Sequence, residues 1–103
     1  METFAKKRIE IMIESPLLAR LTSLLDELGV HGYTVIPALA GRGADGAWHR
    51  DGTIGRAGSL VMVFCIIDAD RVEAVLDPLF QLIKDQIGIV SVSDVEVIRP
   101  DHF

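Results

Sequence analysis

Residues 39–58 read LAGRGADGAWHRDGTIGRAG. This stretch holds six of the nine glycines, the sole tryptophan, and Arg42, Arg50 and Arg56. It has no apolar period, yet apolar segments flank it on both sides. A structureless loop of this length inside a small domain is uncommon and usually functional or disordered. Its glycines permit close approach of backbone to a ligand. Its arginines are planar forks suited to phosphate or carboxylate. The stretch is therefore expected to be the working part of the protein, and it divides the rest of the chain into two halves.

The upstream half opens on a strand. Ile9, Ile11 and Ile13 alternate with Glu10, Met12 and Glu14, a period of two. Ser15 and Pro16 then suit an N-cap and a first helical position. Leu17, Leu18, Leu21, Leu24, Leu25 and Leu28 follow at helical spacing and form one apolar stripe. Gly29 is placed to end that helix in the left-handed conformation. Tyr33–Ala38, β-branched at Thr34, Val35 and Ile36, predicts a short second strand, with Pro37 marking an edge or exit.

The downstream half repeats the order. Leu60–Ile67 is continuously apolar, as expected of a strand buried on both faces. Asp70 and Glu73 have the spacing of a capping box. Val72, Leu76, Leu79, Phe80, Ile83 and Ile87 form a second helical stripe, interrupted by Pro78. A proline inside a helix costs about 3 kcal/mol, which predicts a kink or a restart with Asp77 as cap. Gly88 is expected to end the helix. Ile89–Ile98 is the last strand. Its alternation moves from Val90 and Val92 to Val95 and Val97, which a bulge or break near Ser93–Asp94 would explain.

The order is β-α-β, long loop, β-α-β, within 103 residues. One α+β domain of ferredoxin-like type, βαββαβ, spanning residues 1–103, is the expectation. Two helices cover one face of a four-stranded sheet. Met12 points away from Ile9, Ile11 and Ile13, and the strand at Leu60–Ile67 needs cover on both faces. The second face is thus expected to meet another subunit.

Charge narrows the partners. The formal charge is −5. Within residues 39–58, Arg42, Arg50 and Arg56 stand against Asp45 and Asp51, so that segment is +1 and the remainder −6. This disfavours a nucleic-acid partner, whose binding rests on neutralising many phosphates. A mildly basic loop on an acidic body suits a small anion. The single cysteine, Cys65, lies in an apolar run and reads as a small buried hydrophobe. The longest apolar run has eight residues, too few to span a bilayer. The N-terminus lacks the pattern of a signal peptide. A cytoplasmic location is expected, with no insertion into a membrane.

Other chemistry is weakly represented. Gly41-Arg42-Gly43-Ala44-Asp45-Gly46 matches G-x-G-x-x-G, but a dinucleotide site also needs a helix to follow. Gly52, Gly55 and Gly58 make that helix implausible. His31, His49 and His102 show no metal spacing, and His49 with Asp51 suits a surface pair. Ser59 and Cys65 lack an evident base. No enzyme activity and no metal are expected. Trp48, in mid-loop, suits an anchor for a partner.

With these elements in order, Gly29-Val30-His31-Gly32-Tyr33-Thr34-Val35 resembles the Gly-x-x-Gly-[Met/Tyr]-Thr-Val signature of the PII signalling proteins. The loop at 39–58 is similar to the family's T-loop, and Ser93-Asp94-Val95-Glu96-Val97-Ile98-Arg99 also fits. The resemblance implies a homotrimer binding adenine nucleotides between subunits, with a T-loop that engages a transporter or enzyme. By position it implies Thr34 beside the adenine, and Gly41, Arg42 and Gly43 at the T-loop base near the phosphates. It implies Arg99 reaching a nucleotide from the neighbouring subunit. Trp48, Arg50 and Arg56 fall on the outer loop, where an anion or partner binds.

The departures from the family pattern are informative. The phosphate-cradling B-loop of nitrogen-side members is Thr-Gly-x-x-Gly-Asp-Gly-Lys. Here Lys84-Asp85-Gln86-Ile87-Gly88-Ile89 is shorter and lacks that pattern, which favours ADP or AMP over triphosphate with magnesium. The loop has no tyrosine to uridylylate. These traits resemble the PII-like branch tied to inorganic-carbon uptake and carboxysomes, although the Cys-ended extension of cyanobacterial members has no counterpart here. Bicarbonate sensing and a membrane bicarbonate transporter as partner follow as expectations. The alternatives are a nitrogen regulator responding to ATP and 2-oxoglutarate, and a metal-responsive trimer of related fold.

Overall fold

The computed structural model describes residues 1–43, 46–49 and 60–103. Strand β1 (Phe4–Glu14) leads through a 3-10 turn, Ser15–Leu17, into helix α1 (Leu18–Glu27). Strand β2 (Thr34–Pro37) is followed by β3 (Ala40–Gly43) and β4 (Gly46–His49). Strand β5 (Leu60–Ile67) enters helix α2 (Val72–Ile83) through a second 3-10 turn, Ala69–Arg71, and β6 (Gly88–Val97) closes the domain. The main sheet has the order β2-β5-β1-β6 with every neighbouring pair antiparallel. This is the ferredoxin-like arrangement expected from the order of elements.

The core lies between the sheet and the two helices. Ile9, Ile11 and Ile13 of β1 and Val61, Val63, Cys65 and Ile67 of β5 are buried against Leu21, Leu25, Val75 and Leu79 of the helices. The alternation in β1 therefore decides which face turns inward. On β5 only alternate residues are buried. Met62, Phe64 and Ile66 are half-covered on the face away from the helices, so one chain does not bury this strand on both sides. Across that open face Ile36, Met62, Met12 and Ile89 stand opposite one another on β2, β5, β1 and β6. They form one apolar row across the whole sheet.

Gly29 ends α1 as expected, at φ +76°. Its N–H donates to Asp26 O at 3.1 Å, and the Val30 N–H donates to Leu25 O at 3.0 Å. These are the paired bonds of a Schellman motif, with buried Val30 and Leu25 supplying its apolar contact. Arg71 reinforces this end: its Nη2 donates to Leu28 O at 2.7 Å.

Several local expectations are corrected. Ser15 is not an N-cap: it lies inside a 3-10 turn whose cap position is Glu14, and no side chain caps that turn. Asp70 and Glu73 form no capping box, because Asp70 also lies inside a 3-10 turn. Asp68 precedes that turn and pairs with Lys6. In both places the chain tightens directly off a strand, and i→i+3 backbone bonds satisfy the first turn.

Helix α2 runs through Pro78 without restarting, and Asp77 lies within it. Burial of Val75 and Leu79 on either side, at about 1.5–3 kcal/mol each, offsets the loss at proline. Phe80 is 61% exposed and Ile87 64% exposed, so neither belongs to the buried stripe. The helix stops at Ile83, and the Gln86 N–H donates to Ile83 O at 2.8 Å in the turn that follows. Gly88 begins β6 opposite Ile13 and does not end the helix.

There is no bulge in β6. Its register with β1 is unbroken from Phe4 opposite Val97 to Ile13 opposite Gly88. The apolar residues simply change face: Val90 and Val92 oppose Ile11 and Ile9, whereas Val95 and Val97 oppose Lys6 and Phe4. On the helix side at that end, Asp94 opposes Lys7 and pairs with it.

Candidate functional site

The loop grows directly out of the β2–β5 ladder. Pro37 opposes Val61, and the Ala38 N–H donates to Leu60 O at 3.0 Å, which closes the neck. Beyond the neck the chain is not structureless: β3 and β4 form an antiparallel hairpin. Within it Gly41 opposes Trp48 and Arg42 opposes Ala47. A Cβ built on Gly41 would stand 2.8 Å from Trp48 Cζ2 and 3.1 Å from Cε2. The indole therefore lies on the Gly41 backbone and requires a glycine there. Trp48 is half-buried rather than free. Arg42 and Gly43 are exposed on the same strand. Arg50 and Arg56 lie outside the described residues, as do Ala44 and Asp45.

Thr34 opens β2 at the edge of the sheet, opposite Phe64 of β5. Phe64 in turn opposes Glu10 of β1. The Arg8 guanidinium stacks 4.2 Å from the Phe64 ring centroid, and its Nε donates to Glu10 Oε1 at 2.9 Å. Thr34 thus stands beside a polar and aromatic cluster on the open face, next to the apolar row.

Arg99 is exposed and follows β6, at the other edge of the sheet. Val97, shortly before it, opposes Phe4, whereas Thr34 lies at the level of Glu10. At ~3.4 Å per residue that offset is ~20 Å along the strands, and three strand spacings add ~14 Å across them. One chain therefore does not bring Thr34 and Arg99 together.

Another set of residues does converge. At the Glu14 end of β1 three features meet: the loop neck through Leu60 opposite Glu14, the corner into α1, and the turn between α2 and β6. Glu14, Pro16, Leu17, Arg20, Gln86 and Ile87 line a recess there. Arg20, Glu14 and Gln86 carry none of the sequence-based site expectations. Arg20 is the lone basic residue of α1, a signal that was available but has no meaning until the turn is seen beside it.

Cys65 is a core residue. Burial raises its thiol pKa, and the nearby Arg71 opposes part of that rise. A neutral, buried thiol is a poor nucleophile. Among the described residues no three His, Cys, Asp or Glu side chains cluster as metal ligands. None of the described helices is long and apolar enough to cross a membrane.

Comparison with known proteins agrees with this architecture. No curated protein sequence matches the chain. In structure the chain is similar to CPII, a nitrogen regulatory PII-like protein from Thiomonas intermedia, bound to ADP, AMP and bicarbonate. The TM-score is 0.83 at 28% identity, covering 96% of this chain and 93% of that one. A structure of CPII bound to ADP and bicarbonate gives 0.80 at 29% identity, covering 96% and 94%. A PII-like signaling protein from Thermus thermophilus gives 0.76 at 25% identity, covering 95% and 94%. Residues 6–102 match the sequence pattern of the family described as Nitrogen regulatory protein P-II. Strand order, loop position and a match over nearly the whole chain make this protein a member of the P-II family.

Proposed function

We propose that this chain is a cytoplasmic, non-enzymatic, homotrimeric sensor of ADP or AMP. In this reading bicarbonate is a second ligand, and the loop at 39–58 passes the signal to a partner such as a membrane inorganic-carbon transporter. The observation that carries the reading is the likeness, over 96% of the chain, to a protein whose structure holds ADP, AMP and bicarbonate.

The geometry supports a site shared between subunits. Thr34 and Arg99 sit at opposite edges of the sheet, so a ligand that meets both needs two chains. The row Ile36, Met62, Met12 and Ile89 supplies an apolar surface for such an assembly. In this reading Thr34 lies beside the adenine, Gly41, Arg42 and Gly43 approach the phosphates, and Arg99 enters from the neighbour. Trp48, Arg50 and Arg56 belong to the partner-facing loop. The turn Lys84–Ile87 lacks the glycine-rich phosphate cradle, which favours ADP or AMP over a triphosphate and speaks against ATP-with-2-oxoglutarate sensing.

Calorimetry with ADP, AMP and ATP, with and without bicarbonate, tests the reading, alongside light scattering for the trimer. ADP or AMP is expected to bind more tightly than ATP. Arg42→Ala is expected to lose about 1.5–3 kcal/mol of that binding, the range for a charge-assisted hydrogen bond. Absence of binding by every nucleotide would overturn the proposal.

A further inference from the structure

Helix α1 carries its charges in the reverse of the order that its own backbone favours. The N-terminus of a helix is the positive end of its dipole and the C-terminus the negative end. Arg20 stands in the first turn of α1, and Asp26 and Glu27 stand in the last. Its first turn holds no acidic residue and its last turn no basic one. Helix α2 starts the other way, with Glu73 in its first turn. Arg20 and Glu27 are both exposed, and neither forms an ion pair with any described residue. Arg71 does reach the end of α1, but it bonds the Leu28 and Gly29 carbonyls there.

Both charges line one groove between α1 and α2, with a volume of about 570 Å³. It lies on the outer side of the helices, since Leu21, Leu25, Val75 and Leu79 turn the other way, into the core. Arg20 and Glu27 are two helical turns apart, so they share a face ~10 Å apart along the axis. Ala19, Ser23 and Leu24 lie along the same stretch, and Leu82 lines the groove from α2. Ala19 and Ser23 are small and exposed, which leaves room for a second helix axis at the usual ~8–10 Å.

A second α1 laid antiparallel here, on a two-fold axis at the level of Ser23 and Leu24, completes the charge pattern. A two-fold contact is self-complementary: if one residue meets another, the reverse contact also forms. Arg20 of each chain then meets Glu27 of the other. Each Glu27 also stands at the positive end of the opposing helix, and each Arg20 at the negative end. A pattern that is unfavourable in one chain becomes favourable in a pair.

We propose that the α1–α2 groove is a docking surface for a second copy of this chain, in which two α1 helices pack antiparallel and Arg20 of each pairs with Glu27 of the other. The groove is on the helix side of the domain, whereas Met12 and Met62 lie on the open face of the sheet. It therefore joins assemblies formed at the open face and does not compete with them. Eight residues line it, against roughly 20–30 a side in a standard interface. The association is accordingly weak and depends on protein concentration.

The test is sedimentation velocity of the full chain over a concentration series, comparing wild type, Arg20→Glu, Glu27→Arg and the variant carrying both changes. All the substituted positions are exposed and the new residues are good helix formers, so circular dichroism is expected to show the fold intact. Wild type is expected to form species larger than its state at high dilution, and less so as salt shortens the reach of the charges. Each single change sets like charges opposite one another at both ends of the contact and is expected to weaken the association about tenfold or more. The double change restores opposite charges at both ends and is expected to recover the association. Wild type that shows no such species at any concentration overturns the proposal. So do single variants that associate as wild type does, and a double variant that stays as weak as the single ones.

Discussion

Trp48 lies directly over Gly41, so close that a Cβ at position 41 would come within 2.8 Å of the indole. The glycine and the sole tryptophan of the chain are therefore one structural unit that holds β3 against β4. Gly41→Ala is expected to displace the indole and loosen the hairpin. Because Trp48 is the only tryptophan, its emission reads this directly: a red shift is expected, while the melting temperature of the domain stays within a few degrees. An unchanged spectrum would show that the contact does not hold the hairpin.

Arg71 joins the start of α2 to the end of α1 through its bond to Leu28 O at 2.7 Å. A cation at a helix C-terminus also meets the negative end of the helix dipole. Arg71→Ala is expected to destabilise the domain by about 1.5–3 kcal/mol, as for loss of a hydrogen bond from a charged group. For a domain of this size that is a melting-point fall of roughly 10 °C, with Arg71→Lys intermediate. Thermal denaturation followed by circular dichroism checks it.

The proline in α2 gives a prediction of opposite sign. Pro78 lies within the helix and is not among the fully buried residues. Pro78→Ala restores a backbone donor and removes a steric conflict with the preceding turn. Stability is expected to rise by about 1–3 kcal/mol, measured by urea unfolding. Leu79→Ala, one residue on and fully buried, is expected to cost about 2–5 kcal/mol.

Cys65 links stability to alkaline pH. Its thiol pKa is raised above the ordinary 9.0 by burial. Above that value the unfolded chain releases the proton while the folded chain keeps it. The unfolded state then binds fewer protons, so stability falls as pH rises from about 9 toward the folded value and is unaffected below it. Cys65→Val is expected to remove this component, seen as a flatter stability profile above about pH 9.

Met12 and Met62 face each other on the open side of the sheet. If subunits meet there, Met62→Glu places a charge in the interface. On the trimeric reading, the variant is expected to elute as a folded monomer where the wild type elutes as a trimer, with helix content unchanged. Retention of the trimer would place the interface elsewhere.

The sequence alone determined the order of elements, the inward face of β1, the left-handed end of α1 at Gly29 and the position of the long loop. Each follows from a local cause: a period of two or 3.6 in apolar residues, or a backbone conformation that glycine alone adopts freely. The signature around Thr34 named the family for the same reason, since it is contiguous in the chain. Tertiary structure decided what depends on distance. It sent α2 through Pro78, because core burial outweighs one lost backbone bond. It moved the apolar side of β6 from one face to the other without a bulge, because the pairing with β1 holds the register. It paired Gly41 with Trp48 across a hairpin that composition reads as loop. It also set Arg20 beside Glu14 and Gln86, side chains drawn from three separate elements, a grouping that no spacing along the chain encodes.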